Sequence, residues 1–275
     1  MASRRRTNWP GTIALIAASV IVLFPLYLTV VVALKTREDL GTSILGWPSR
    51  LAWENFPRVI EITNYWQAFA NTFFITAGSI VLTVFTNSFV AYAIARNMKK
   101  PAFRSLYYYF ISAMFIPFPI IMLPIVKLTS DLGLSNQAGL VILYTVYGLA
   151  FNIFLYVGYI SSLPAELEEA ARVDGCGPWQ TFWKVIFPLL MPINATVAIF
   201  TCLWTWNDFM LPLVILSKPE MATLPLVQFA LQGQFNTDFT LAFASYLLAM
   251  LPLLLVYLVA QRWIISGVTR GAVKG

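Results

Sequence analysis

From Gly11 to Leu34 the sequence runs without one charged side chain. About 20 apolar residues in a helix cross the hydrocarbon core of a bilayer, so this stretch is long enough to span it. Five more stretches have the same character: Asn71–Ala95, Leu106–Leu128, Ala138–Ile160, Leu189–Leu216 and Thr240–Ala260, interrupted only by Lys127 and Asp208. They are continuous apolar blocks, not alternating segments of about ten residues, which excludes an outer-membrane barrel. The expected fold is an all-α membrane protein. It has a short N-terminal segment (1–10), a six-helix transmembrane domain (11–260) and a C-terminal tail (261–275). Pro117, Pro119 and Pro124 should bend the third span, and the freed carbonyls would need partners on neighbouring helices. The fifth span is flanked by Pro188 and Pro192 and broken near its end by Pro212.

Composition agrees. Charged residues make up 11% of the chain and hydrophobic ones 59%, too few charges to cover a water-soluble fold of this size. Histidine is absent, which removes imidazole-based triads and proton relays, and Cys176 and Cys202 match neither a disulfide framework nor a zinc-ligand spacing. Arg4, Arg5 and Arg6 resemble the start of a signal peptide, but the apolar run behind them is about twice the usual length, so a retained first span is expected.

The loops set the direction. On the side of both termini fall twelve basic residues, among them Arg4–Arg6, Arg96, Lys99, Lys100 and Arg104, against four acidic ones. The opposite side has six basic and seven acidic residues, with Asp208 inside a span. Excess Lys and Arg mark the cytoplasmic loops, so both termini are expected inside. The net charge of +6 therefore reports topology and gives no reason to invoke nucleic acid. The outer segment 35–70 carries Trp47, Trp53, Phe56 and Trp66; it would either lie at the membrane surface or pack as an ordered loop.

The cytoplasmic loop 161–188, between spans four and five, carries the most information. Ser161 or Ser162 can cap a helix with Pro164 in its first turn and Glu166, Glu168 and Glu169 near its positive end. Leu167, Ala170, Ala171 and Asp174 share i, i+3, i+4, i+7 spacing, a face with small residues at its centre. Gly175 and Gly177 can take φ > 0 and end the helix, and Pro178 starts a second short one. Such a helix–turn–helix suits the docking of a partner.

The run resembles the EAA loop of permease subunits of bacterial binding-protein-dependent ABC importers. That pattern is E-A-A, three residues, Gly, nine residues, Ile, one residue, Leu-Pro. The chain has Glu169-Ala170-Ala171, Asp174-Gly175, then Val185 and Phe187-Pro188, with Val and Phe as conservative departures. Asn71, Ala91-Tyr92-Ala93, the basic stretch Arg96–Arg104, Trp206-Asn207-Asp208-Phe209 and the tail Gly271-Ala272-Val273-Lys274-Gly275 are similar to the smaller, six-span permease of the maltose-type carbohydrate transporters. The resemblance implies a type I ABC importer permease fold and a heteromer. Its partners would be a second permease subunit, two copies of a cytoplasmic ATPase and an extracytoplasmic sugar-binding protein, with membrane lipid around its spans. It also implies that Glu169 pairs with a basic residue of the ATPase and that Gly271–Gly275 reach the ATPase dimer.

No G-x-x-x-x-G-K-[ST] loop occurs in the chain, so no cofactor is expected here and ATP and Mg would be bound by the partner ATPase. The expected function is translocation of a sugar, a di- or oligosaccharide, without enzymatic chemistry. A related scaffold carries glycerol-3-phosphate or a polyol, and an ion-driven secondary transporter is the alternative from another class. The latter needs paired intramembrane carboxylates or broken midplane helices. Asp208 lies nineteen steps from Leu189, about 28 Å along a straight helix, near the outer interface. Asn207 and Asp208 are expected to serve structure or gating. Tyr107, Tyr108, Tyr109, Trp204 and Trp206 offer rings for sugar stacking, although interfacial anchoring is the commoner use of such residues.

Overall fold

The computed structural model describes residues 9–234 and 238–272, and among these the elements are helical throughout. In chain order they are α1 (Trp9–Ala33), α2 (Arg37–Thr42), α3 (Asn55–Ile62), α4 (Tyr65–Arg96), α5 (Pro101–Ala113), α6 (Phe118–Asp131), α7 (Gln137–Ile160), α8 (Glu166–Val173), α9 (Pro178–Thr181), α10 (Phe187–Leu189), α11 (Met191–Asn207), α12 (Met210–Ile215), α13 (Leu224–Gln234) and α14 (Phe239–Ala272). A π-helical stretch, Phe182–Ile186, joins α9 to α10. Among the described residues, α1, α4, α7 and the Phe239–Leu258 part of α14 are each long and apolar enough to cross a bilayer unbroken.

The remaining two expected spans are bent pairs. Between α5 and α6 the chain turns by 104°, so Leu106–Leu128 is two helices where one bent helix was expected. The cause is local. Pro117 sits outside α6 with φ −65° and ψ 138°, and its ring disfavours helical geometry for Ile116 before it. The tight i→i−3 bonds from Met114, Phe115 and Ile116 to Ile111, Ser112 and Ala113 close the end of α5 instead. Pro119 falls in the first turn of α6, where a missing N–H costs nothing. The second pair, Pro178–Leu189 and Met191–Asn207, is bent by 76°. The expected fifth span ends early, at Asn207, because Asp208 takes extended geometry, φ −73° and ψ 131°.

The chain forms two compact units. One comprises the described residues up to Trp66 with Val227–Pro252, the other Gln67–Leu226 with the chain from Leu253 on. In the first, the core is Ala33, Val59, Leu231, Leu241, Ala242 and Ala244. The segment between α1 and α4 is an ordered loop with its tryptophans turned outward: Trp47, Trp53 and Trp66 are all more than half exposed, while Phe56 packs on the core. Asn55 holds the loop by donating to the carbonyls of Ala33 and Lys35 at 2.8 and 2.9 Å, and buried Lys35 donates to the carbonyls of Ser43 and Ile44. Asp238 caps α14 by accepting from the Thr240 hydroxyl at 2.6 Å and backbone N–H at 3.1 Å, and Arg37 reaches it at 2.6 Å.

The second unit has two apolar cores along α4 and α7. One joins Ile75, Leu140 and Tyr144 to Leu211 and Ile215 of α12. The other joins Ala91, Ile94, Ile153, Tyr156, Val157 and Ile160 to Phe182, Ile186 and Leu190 of the segment leading into α11. Hydrogen bonds between helices supplement the packing, as is common in bilayers where apolar contact with lipid offers no contrast. Tyr156 donates to Asn194 at 2.8 Å, Gln137 to Asn71 at 2.7 Å, and Asn71 to the carbonyls of Glu220 and Ala222 at 2.8 and 2.9 Å. At the start of α7, a Cβ on Gly139 would lie 1.8 Å from the Leu134 carbonyl oxygen; only glycine lets the incoming turn fold back this closely.

Candidate functional site

The loop between α7 and α11 is built as two short helices around one glycine. Neither expected cap is used: the Ser161 and Ser162 hydroxyls donate back to the carbonyls of Val157 and Tyr159, and α8 begins at Glu166 without a side-chain cap. Pro164 lies ahead of the helix, because α7 first closes with a turn. The end of α8 is better defined. Cys176 N–H donates to Ala171 O at 2.9 Å and Gly175 N–H to Arg172 O at 3.0 Å, the paired 6→1 and 5→2 bonds that satisfy final-turn carbonyls. Gly175 has φ +82°, which a side chain would strain. Gly177 does not share this role, having φ −71° as the residue before α9; one reversal is sufficient.

The orientation of α8 differs in one respect from the expected four-residue face. Glu168 and Ala171 point inward, at 4% and 6% exposure. Leu167, Glu169, Ala170 and Asp174 are exposed, and Val173 is 88% exposed. Ala171 therefore belongs to the buried side, one turn from Glu168.

The inward glutamate makes the strongest polar contact of the site. Arg96, in the last turn of α4, donates from Nε to Glu168 Oε1 at 2.6 Å, and the Tyr92 hydroxyl donates to Oε2 at 2.9 Å. Arg96 also donates to the carbonyls of Ile160 and Leu163 at 3.1 and 3.3 Å. One guanidinium thus ties α8, the end of α7 and its own helix together. A carboxylate this buried requires such pairing.

Beyond α8 the loop is fastened by rings. Phe187 stacks on Phe85 of α4 at 5.4 Å with 10° between planes, Phe182 meets Phe89 at 5.1 Å, and Trp179 meets Phe89 at 5.0 Å. Val185 is half-buried and Pro188 exposed. The bond from Phe187 N–H to Phe182 O gives the π turn. It lies just before Pro188, which cannot donate to the carbonyl of Lys184 and whose ring would press on it in a regular helix.

Sequence reasoning singled out Glu169 and passed over Glu168, Arg96 and Tyr92 as a set. The available signal was the one-turn spacing of Tyr92 and Arg96, which places them on the same face of α4. Gly271 and Ala272 continue α14; Val273, Lys274 and Gly275 lie outside the described residues, as do Arg4–Arg6.

Asp208 holds the interrupted end of α11. It accepts from the Tyr144 hydroxyl at 2.8 Å and from the Met210 backbone N–H at 3.0 Å, so its partners are on α7 and α12. Asn207 donates instead to Leu203 O at 2.7 Å. Cys176 and Cys202 are both free thiols.

Comparison with known proteins places this geometry. The chain is 40% identical over 267 residues to the multiple sugar-binding transport system permease protein MsmG of Streptococcus mutans, covering 95% of each. It is 34% identical to the probable starch degradation products transport system permease protein AmyC of Thermoanaerobacterium thermosulfurigenes, covering 94% of each. It is 33% identical to the melibiose/raffinose/stachyose import permease protein MelC of Bacillus subtilis, covering 98% of this chain and 99% of that protein. Its fold superposes with TM-score 0.78 on a chain of a crystal structure of a bacterial ABC transporter that imports the acidic polysaccharide alginate, at 24% identity over 95% of this chain and 99% of that one. Residues 87–270 match the family described as binding-protein-dependent transport system inner membrane component. The chain belongs to that family, the permease subunits of ABC importers.

Proposed function

We propose that this permease carries a neutral di- or oligosaccharide, delivered by an external binding protein, and that its α8 loop receives the stroke of a separate ATPase. The sugar class is supported by the relatives named above, which are permeases for multiple sugars, starch products and raffinose-type oligosaccharides. The observation that carries the coupling role is the division of α8 into two faces. Glu168 fixes the helix to α4 and α7, while Glu169, Ala170 and Val173 stand exposed for a partner.

In this reading both termini are cytoplasmic, as the Lys and Arg excess implies. A second permease completes the path, two ATPase copies bind ATP and Mg, and the Gly271–Gly275 tail meets them. Glu169 pairs with a basic residue in an ATPase cleft. When the ATPases close, α8 moves, and Arg96 passes that displacement to α4 and α7 as rigid bodies. The chain performs no chemistry on its substrate.

The test is uptake of radiolabelled raffinose and maltotriose by membrane vesicles containing the complete transporter. Uptake should need ATP and the binding protein and should persist when the membrane potential is dissipated. Uptake driven by an ion gradient without ATP, or of glycerol-3-phosphate in place of every sugar, would overturn the reading.

A further inference from the structure

Where α11 stops at Asn207 and α6 begins after Pro117, the second unit contains a cleft of about 270 Å³. Phe118, Tyr144, Tyr147, Trp204, Asp208 and Met210 are on its wall. Trp204 and Phe118 each meet the Tyr147 ring edge to face, at 6.1 and 5.9 Å, and Trp204 leaves 47% of its surface uncovered. The geometry points to a saccharide subsite in this cleft, in which Trp204 supports one face of a sugar ring and Asp208 accepts its hydroxyls. The site rests on the reading of the chain as a sugar permease and adds a place where this chain itself touches the cargo.

Four observations converge on a neutral, polyhydroxylated ring. First, the cleft lies at two helix interruptions, and irregular backbone at membrane depth belongs where it lines a cavity. Second, a carboxylate has about four acceptor positions. Asp208 fills one with the Tyr144 hydroxyl and one with the Met210 N–H, leaving acceptors for hydroxyl donors. Third, the Tyr147 hydroxyl is buried and has no hydrogen-bond partner among the described residues, so a small rotation toward the cleft would let a ligand satisfy it. Fourth, no Lys or Arg lines the cleft, and the Asp208 charge would repel a phosphate ester. The volume is slightly below the ~300–1,000 Å³ of sites for drug-sized ligands, so one sugar unit is held at a time.

The complete transporter, reconstituted with its binding protein in proteoliposomes, provides the test, with labelled raffinose and maltotriose as probes. Trp204→Ala should lower uptake of at least one probe by about tenfold, as loss of a central aromatic anchor does, while the complex still purifies with its full set of subunits. Asp208→Asn should do the same, since one of its two oxygens becomes an NH₂ that cannot accept a sugar hydroxyl. Because Tyr144 and Met210 bond different oxygens, it also gives up one of them, and the subunit content of the purified complex separates that effect from loss of sugar contact. Trp204→Phe keeps a ring and should recover most of the uptake. Wild-type uptake of both probes by Trp204→Ala and Asp208→Asn would overturn the site and leave the sugar-permease reading standing. Loss of uptake only together with loss of assembly would assign both residues to structure and overturn the site too. A wild-type complex that moves glycerol-3-phosphate in place of every sugar would remove the functional reading and the site together.

Discussion

Glu168 of α8 and Arg96 at the end of α4 approach to 2.6 Å, although 72 residues separate them in sequence. Their side chains are 6% and 20% exposed, so the pair is largely withdrawn from water. Because Arg96 also holds the carbonyls of Ile160 and Leu163, it acts as the common fastening of three elements. Breaking such a pair leaves a buried charge without compensation. Glu168→Ala should therefore cost about 3–5 kcal/mol, read as a lower unfolding temperature of the purified transporter. Replacing both residues by apolar ones of similar volume should cost much less than the single change, which a double-mutant cycle would show.

Glu169 makes the opposite prediction. Its side chain faces outward, and substitutions at such positions usually change stability by less than about 0.5 kcal/mol. Glu169→Ala should leave the unfolding temperature in place yet abolish ATP-driven uptake and weaken co-purification with the ATPase. Normal uptake by the double variant Glu169→Ala with Gly175→Pro would remove the coupling role from the loop.

Gly175 tests the turn. A Cβ there would meet no atom within 4 Å, so crowding plays no part and the strain comes from φ +82° alone. Gly175→Ala should destabilise by about 1–2 kcal/mol, and Gly175→Asn, which tolerates left-handed geometry, by less. Equal effects of the two substitutions in thermal unfolding would show that something other than backbone geometry is at stake.

Acid should loosen the α14 cap. Burial pushes the Asp238 carboxyl up, but the Thr240 hydroxyl and the Arg37 guanidinium more than offset this and hold it below the usual carboxylate range. A depressed carboxylate stabilises the fold fully above the unfolded value of about 3.9, and the contribution fades as pH falls through the folded value. Stability of wild type and Asp238→Asn should therefore differ at pH 7 and converge below the ordinary carboxylate range, measured by thermal unfolding across pH.

Much of this was legible in the residues. Spans could be found because a bilayer demands long apolar runs, and the loop because its glycine and acidic residues sit at fixed spacing. The bend between α5 and α6 was only half legible: Pro117 announces an interruption, but whether a helix kinks or stops depends on whether Met114–Ile116 close a tighter turn. Asp208 was legible as unusual, yet its partner Tyr144 is 64 residues away, a distance that local spacing does not bridge. The same holds for Glu168, which among three neighbouring glutamates carries no mark of burial until Arg96 is brought against it.

The π turn at Phe182–Ile186 has a consequence for angular phase. One i→i+5 turn inserts an extra residue, which rotates everything beyond it by about 100° relative to an uninterrupted α-helix. Phe187, Leu190 and the first turn of α11 therefore present a side that an ordinary heptad reading of the sequence would assign to their neighbours. Removing a single residue from this turn would rotate the following helix by more than a quarter circle, a larger perturbation than any side-chain substitution along it.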